Sequence, residues 1–323
     1  MEDILGEIRS ALDEGRGLVV ATIIRQVGAA PRHLGTRMIV TEDGRGIGTI
    51  GGGLLEAEVM AEAKKALSAC ESRLIPFRLT GKDAADTDML CGGDVDIFLD
   101  PISGTDNDFA QVISACEACL QKGGRGILVE NVTPGKTSEY EGREPKPAWL
   151  FLGEGGDQAG CGFTADLVNA LRNRLPNTLG PEAAILIPKG ELPDQPGDLF
   201  VAPLVARHRV ILFGGGHVCL HLAKVIKMVG FSLVVAEDRE EFLTPERFPE
   251  ADKLWLAPFE GILENHHITA NDYLVIVTRG HMHDLTVLHQ ALQTPAGYIG
   301  MIGSVRKRDI IYSKLQEWGV SRE

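Results

Sequence analysis

No stretch of this 323-residue sequence approaches the roughly 20 consecutive apolar residues that a membrane-spanning helix needs. Its first segment, MEDILGEIRSALDEG, has the pattern of an acidic amphipathic helix and lacks the features of a signal peptide. No membrane partner is expected, and a cytoplasmic location is. Basic residues are in deficit, 32 Lys and Arg against 45 Asp and Glu, for a net charge of −13. That balance argues against nucleic acid, whose phosphates need clustered cations, but leaves room for small anions at local basic spots. Six cysteines are too few for a disulfide framework. Two of them, Cys116 and Cys119, form a C-x-x-C inside the helical pattern DFAQVISACEACLQKG, where they read as small hydrophobes sharing a face rather than as a metal or redox pair. Neither an internal repeat nor a low-complexity tract is visible.

With 44% hydrophobic and 24% charged residues, the chain can bury sizeable cores. The length suits two domains. We place the boundary after residue 205, giving 1–205 and 206–323. Beyond Arg209 strands and helices alternate cleanly: RVILFG, HVCLHLAKVIKMVG, SLVVAE, KLWLA, YLVIVT, DLTVLHQAL, GYIGMIG and RKRDIIYSKLQEWG. Such alternation implies a Rossmann-like, doubly wound parallel sheet in the order 3-2-1-4-5. The N-terminal part is less regular. LVVATIIRQ, TRMIVT, GIGTI, RLIPFRL and DVDIFLD read as strands, with LLEAEVMAEAKKALSA as a helix, so the overall class is α/β with an N-terminal α+β domain. Two polar, Pro- and Gly-bearing stretches, 133–147 and 187–198, read as surface loops.

The segment FGGGHVCLHLAKVIKMVGF resembles a dinucleotide-binding turn that lacks its third glycine. Gly214 and Gly216 hold the first two positions, His217 opens the helix, and Cys219 occupies the third. That third position serves helix–strand packing, so a small Cys there costs packing more than phosphate binding. Glu237 and Asp238, ending the second strand, stand where an acidic residue would hold ribose hydroxyls. The plainer reading is a fold that kept its turn and lost its ligand. After the fourth strand, TRGHMHDL places Arg279, His281, His283 and Asp284 beside the turn. His-x-His can ligate a metal and imidazole with carboxylate can move protons, or His281 or Asp284 simply caps the next helix. Gly303 and Ser304 open the last helix with free amides, and Arg306 adds positive charge, as an anion site or as a solvated basic face.

In the N-terminal part, Gly51, Gly52 and Gly53 precede a helix carrying Glu56 in its first turn. Such a run can form a nest of amides for an oxyanion, or simply a tight turn. Cys91, Gly92 and Gly93 form a loop whose open backbone would let the thiol approach a ligand.

Together APRHLGTRMIVTEDG, GTIGGGLLEAEV, MLCGGDVDIFLDP, the glycine turn, AEDREEF, TRGHMHDLTVL and PAGYIGMIGSVRKR resemble the XdhC/CoxI family of xanthine dehydrogenase accessory proteins over nearly the whole chain. Cys219 departs from the more usual small residue of that family's turn. The resemblance implies a chaperone, and not a catalyst, that binds the molybdenum cofactor (molybdopterin) in a cleft between its domains. Such a protein assists sulfuration of the cofactor and its insertion into a xanthine dehydrogenase-type molybdenum hydroxylase. The sulfur would come from a separate cysteine desulfurase, Cys91 would contact molybdenum, and the chain would be a homodimer. The rival reading is an NAD(P)-dependent oxidoreductase that uses the same turn, with His281 or His283 as acid–base group. A scaffold that only bridges desulfurase and hydroxylase would leave the glycine motifs unexplained.

Overall fold

The computed structural model describes residues 2–30, 32–78, 93–136, 149–178 and 184–321. The chain divides into two compact units, Met1–Val205 and Ala206–Glu323.

The first unit runs α1 (Glu2–Asp13), β1 (Leu18–Val27), β2 (Arg37–Thr41), β3 (Gly46–Gly48), α2 (Gly53–Ala69), β4 (Glu71–Arg78), β5 (Asp94–Ile102), α3 (Asn107–Gln121), β6 (Arg125–Asn131), β7 (Gly135–Lys136), β8 (Trp149–Gly153), β9 (Gln158–Ala159), α4 (Ala165–Thr178), β10 (Ile185–Ile187) and β11 (Leu199–Val205). The strands expected from the sequence build one antiparallel sheet, β3-β2-β1-β5-β4-β7. A second antiparallel sheet, β10-β11-β6-β8-β9, was not expected. Its strands are short continuous apolar runs such as WLFLG, which periodicity cannot distinguish from buried helix.

Strand alternation divides the cores. Val19, Ala21 and Ile23 of β1 face Leu55, Val59 and Ala63 of α2. Leu18 and Val20 face the other way, into a cluster with α1, α3, and Leu128, Trp149 and Phe151 of the second sheet. Cys116 and Cys119 lie in that cluster, and burial pushes the Cys116 thiol up to about 12. Both behave as core hydrophobes.

A buried ion pair joins the two sheets. Arg37 of β2 lies 3.3 Å from Glu130 of β6, their side chains 3% and 0% exposed. The Thr22 hydroxyl accepts from Arg37 Nε at 3.2 Å and donates to Glu130 at 3.0 Å. The Trp149 and Phe200 rings flank the guanidinium at 5.5 and 5.8 Å. Burial pushes Glu130 up and Arg37 down, and each offsets the other's desolvation.

The second unit holds β12 (Arg209–Phe213), α5 (His217–Met228), β13 (Ser232–Glu237), β14 (Lys253–Leu256), β15 (Asp272–Ile276), α6 (His281–Ala291), β16 (Tyr298–Met301) and α7 (Val305–Glu317). The sheet is parallel in the order β14-β13-β12-β15-β16, the doubly wound order expected from the sequence. Val210 and Leu212 pack toward α5, while Ile211 and Phe213 pack toward α6 and α7, so β12 is apolar on both faces. The strand order reverses between β12 and β15, which makes their carboxyl ends the switch point where such folds take ligands.

Truncating Arg37 to Ala leaves Glu130 buried without its counter-charge and should cost about 3–5 kcal/mol in urea unfolding. The double change Arg37→Met with Glu130→Leu should recover most of that loss. A double variant no more stable than the single one would show that the pair stabilises the unit beyond its packing.

Candidate functional site

At the switch point the glycine turn is closed on one side and open on the other. Gly214 has φ +125°, and a Cβ there would come within 2.6 Å of the Val277 carbonyl oxygen. A Cβ at Gly215 would come within 2.5 Å of the Phe242 carbonyl oxygen. Gly216 is different: nothing lies within 4 Å of where its Cβ would be, and its φ of −77° suits any residue. It caps α5 without a side-chain hydrogen bond, so the first-turn amides of α5 keep the positive end of the helix dipole exposed. His217 is exposed beside it. Cys219 sits in the apolar cluster beneath α5, fully buried, its thiol pushed up to about 12 by burial and by Glu237.

Glu237, expected to hold a ribose, turns inward. It is 1% exposed and accepts from the Gly215 amide at 2.6 Å. Arg239 Nε donates to it at 2.9 Å and Arg279 at 3.2 Å. A short bond to the turn and two guanidinium groups thus occupy the carboxylate expected to hold a ribose. Asp238 is paired with Arg279, whose Nη2 donates at 2.8 Å. Hydrogen bonding to Arg279 holds this carboxyl far below the usual carboxylate range. Arg239 also lies 3.8 Å over the Phe242 ring, and Arg247 donates to the Gly215 carbonyl at 3.0 Å. Arg239 and Arg247 escaped the sequence reading; their signal was the loop EDREEFLTPERF, which carries cations straight after the second strand.

The loop after β15 brings Thr278 and Asp284 together. Asp284 is completely buried and accepts from the Thr278 hydroxyl at 2.7 Å. Its other oxygen meets Lys307 of α7. Gly280 caps α6 with no side-chain hydrogen bond, so neither His281 nor Asp284 is the helix cap. His281 is exposed, and His283 leans on Phe259 with ring centroids 5.4 Å apart. Among the described residues no group of three His, Cys, Asp or Glu side chains could hold a metal ion.

On α7 the cation that turns inward is Lys307. Arg306, one residue and about 100° earlier on the helix, is exposed. It lines a shallow outer groove with Asp309, Ser313 and Glu317. Gly303 is exposed, and Ser304 caps α7 by accepting from the Lys307 amide at 3.2 Å, which uses one of the amides expected to bind an anion.

In the first unit, Gly51, Gly52 and Gly53 have φ of +141°, +78° and +63°, a run that only glycine adopts readily. The amides of Ile50, Gly51 and Gly52 do form a nest, but it holds the chain's own carboxylate. Glu56 accepts from the amides of Gly52 at 2.8 Å, Ile50 at 3.0 Å and Gly51 at 3.3 Å, and from the Thr49 hydroxyl. The nest and Glu56, both expected to bind cofactor, are thus engaged with each other. Burial pushes the Glu56 carboxyl up, but the hydrogen bonds from Thr49, Gly52, Ile50 and Gly51 outweigh it and hold the group below its ordinary value. Gly93 is buried where a Cβ would come within 2.3 Å of the Ala29 carbonyl oxygen. Cys91 and Gly92 lie outside the described residues.

Because the folded-state pKa of Glu56 is lowered, its contribution to stability is complete above its unfolded value of about 4.3 and is lost as pH falls through the folded value. Glu56→Ala should cost about 1–3 kcal/mol at neutral pH by stranding three amides. Denaturation midpoints of wild type and variant should converge below pH 4. A constant gap across that range would show that the carboxylate charge plays no part.

Comparison with known proteins places the pattern. The XdhC Rossmann domain model matches residues 210–323, and the XdhC and CoxI family model matches residues 11–78. A protein of Bacillus subtilis (strain 168), named as a probable subunit of xanthine dehydrogenase, is 27% identical over 300 residues, spanning 92% of this chain and 82% of that one. The molybdenum cofactor insertion chaperone PaoD of Escherichia coli (strain K12) is 36% identical over 89 residues, 28% of each chain. The crystal structure of a protein named a xanthine dehydrogenase from Bacillus halodurans shares the fold. It has a TM-score of 0.68 at 22% identity, covering 96% of this chain and 84% of that one.

Proposed function

The chain belongs to the XdhC and CoxI family, and we propose that it is an accessory factor that carries the molybdenum cofactor to a xanthine dehydrogenase-type hydroxylase. The observation that carries this reading is the half-open glycine turn. Gly214 and Gly215 are locked against β15 and the Phe242 backbone, while Gly216 offers bare backbone at an uncapped helix start. An anionic group of the cargo can approach the α5 amides there without meeting a side chain. Arg239 and Arg279, beside the turn, are paired with Glu237 and Asp238, so the positive feature the turn presents is the amide end of α5. The likeness to a molybdenum cofactor insertion chaperone supports the identity of the cargo.

In this reading the chain's residues bind and protect, and do no redox chemistry. The anionic arm rests on α5. His283, packed on Phe259, and the exposed His281 border the same loop end. Cys91 supplies a soft thiol toward molybdenum, and a separate cysteine desulfurase supplies the terminal sulfur. Two observations weigh against the dehydrogenase alternative. Glu237, the expected acceptor for ribose hydroxyls, is sealed under the turn. Asp238, the next carboxylate, is held by Arg279. No helix among the described residues is long and apolar enough to cross a membrane.

Gly216→Val separates binding from folding. The site accepts a side chain without strain, so unfolding free energy should fall by about 1 kcal/mol or less, the cost of a poorer cap. Calorimetry with purified cofactor should show affinity weakened at least about tenfold, 1.4 kcal/mol, and reconstitution of the apo-hydroxylase should fall with it. Binding and reconstitution at wild-type levels would remove the turn from the site. Cys91→Ser should likewise loosen retention of the cofactor, whereas Cys116→Ala should lower stability and leave retention unchanged. Equal loss of retention from both would withdraw the thiol contact.

A further inference from the structure

Arg279 reaches across the carboxyl end of β12. In the sheet β12 lies between β13 and β15; Arg279 follows β15, while Glu237 ends β13 and Asp238 comes next. Arg279 Nη1 donates to Glu237 Oε1 at 3.2 Å, and Glu237 Oε2 accepts from the Gly215 amide at 2.6 Å. One carboxylate thus ties the guanidinium to the turn, one residue from the open amide end at Gly216. The rest of the fork closes on Asp238: Nη1 donates to Oδ1, and Nη2 donates to Oδ2 at 2.8 Å. The two anchors differ in access. The Glu237 side chain is 2% exposed, against 18% for Asp238 and 38% for Arg279.

A guanidinium fork takes a carboxylate and a phosphate in the same bidentate geometry. Asp238 therefore occupies the place on Arg279 that two oxygens of a phosphate would take. Ion pairs open to solvent are weak. A phosphate monoester carries about −1.5 to −2 charge at neutral pH, against the single charge of a carboxylate. Such a dianion at the α5 amides competes for the fork on favourable terms. A phosphate diester carries one charge and has no such advantage. Displacement strands neither partner: Arg279 keeps Glu237, and Arg239 Nε lies 3.8 Å from the Asp238 carboxylate.

We propose that Asp238 is a tethered stand-in for a phosphate of the cargo, and that Arg279 exchanges its fork from Asp238 to a phosphate monoester on binding. The proposal rests on the reading that the α5 amides take the cargo's anion, and it adds the residue that selects the class of that anion. Exchange also runs in reverse. When the fork returns to Asp238 the phosphate loses its guanidinium, so the residue that secures the cargo also serves its release.

Calorimetry of the full chain with inorganic phosphate at neutral pH tests the exchange. Asp238→Asn no longer holds the fork with an anion and should bind phosphate about tenfold more tightly than wild type. Glu241→Gln is the control. Glu241 acts on Arg279 through its charge alone, so affinity should change by less than about twofold. Arg279→Lys keeps a cation beside Glu237 without the fork and should weaken phosphate about tenfold. Purified cofactor added first should abolish the phosphate heat, since both use one site. Asp238→Asn no tighter than wild type, Glu241→Gln matching it, Arg279→Lys at wild-type affinity, or phosphate heat that persists beside bound cofactor would each overturn the exchange and leave the anion reading of the turn standing. No phosphate heat from either wild type or Asp238→Asn would remove the anion site itself, and the proposal with it.

Discussion

The carboxylate of Glu237 sits where three loops meet, and the geometry of the switch point depends on it. The Gly215 amide donates to it from the turn after β12, Arg239 from the loop after β13, and Arg279 from the loop after β15. Hydrogen bonds to a buried charge contribute about 1.5–3 kcal/mol each, and losing the acceptor would strand every donor at once. Because Glu237 fastens the turn at Gly215, the turn presents only the Gly216 side to a ligand. The same constraint makes Cys219 tolerable. The third glycine position lies under α5 in an apolar cluster, away from the open amides, and a small buried thiol fills it.

Two glycine turns among the described residues meet a carboxylate of their own, with opposite consequences. In the first unit Glu56 takes the amides of Ile50, Gly51 and Gly52, which uses the nest up as a structural turn at the start of α2. In the second unit Glu237 takes one amide and leaves the helix start uncapped. An amide nest is an anion site only when the chain does not supply the anion itself. That rule makes the turn at Gly216 an open one and the turn at Gly52 a filled one.

The second unit was legible in the sequence because its apolar strands, helical periodicity and glycine punctuation all agree on one parallel sheet. The first antiparallel sheet was legible through its apolar, β-branched runs and the turn around Gly44, whose φ is +82°. The second antiparallel sheet was not, since runs such as GILVEN and WLFLG carry no period. Sequence marked Glu237 as important but not which way it faces. A carboxylate at a strand end can turn out to a ribose or in to a backbone amide, and only the neighbouring arginines decide. Arg306 and Lys307 show the same limit: adjacent on a helix, they diverge by about 100°, and a run of three cations gives no hint which one points inward. The pairing of Lys307 with buried Asp284 depends on α7 packing beside the first turn of α6, a contact between two separate helices.

The claim that the turn serves an anionic cargo and not a ribose is tested most directly by comparing two ligands on one protein. Calorimetry of the purified chain with molybdenum cofactor and, separately, with NAD+ measures both. The account predicts micromolar or tighter binding of the cofactor, about −8 kcal/mol, and no measurable heat from the dinucleotide. Tighter binding of NAD+ than of the cofactor, lost on substitution of Glu237 or Asp238, would contradict it.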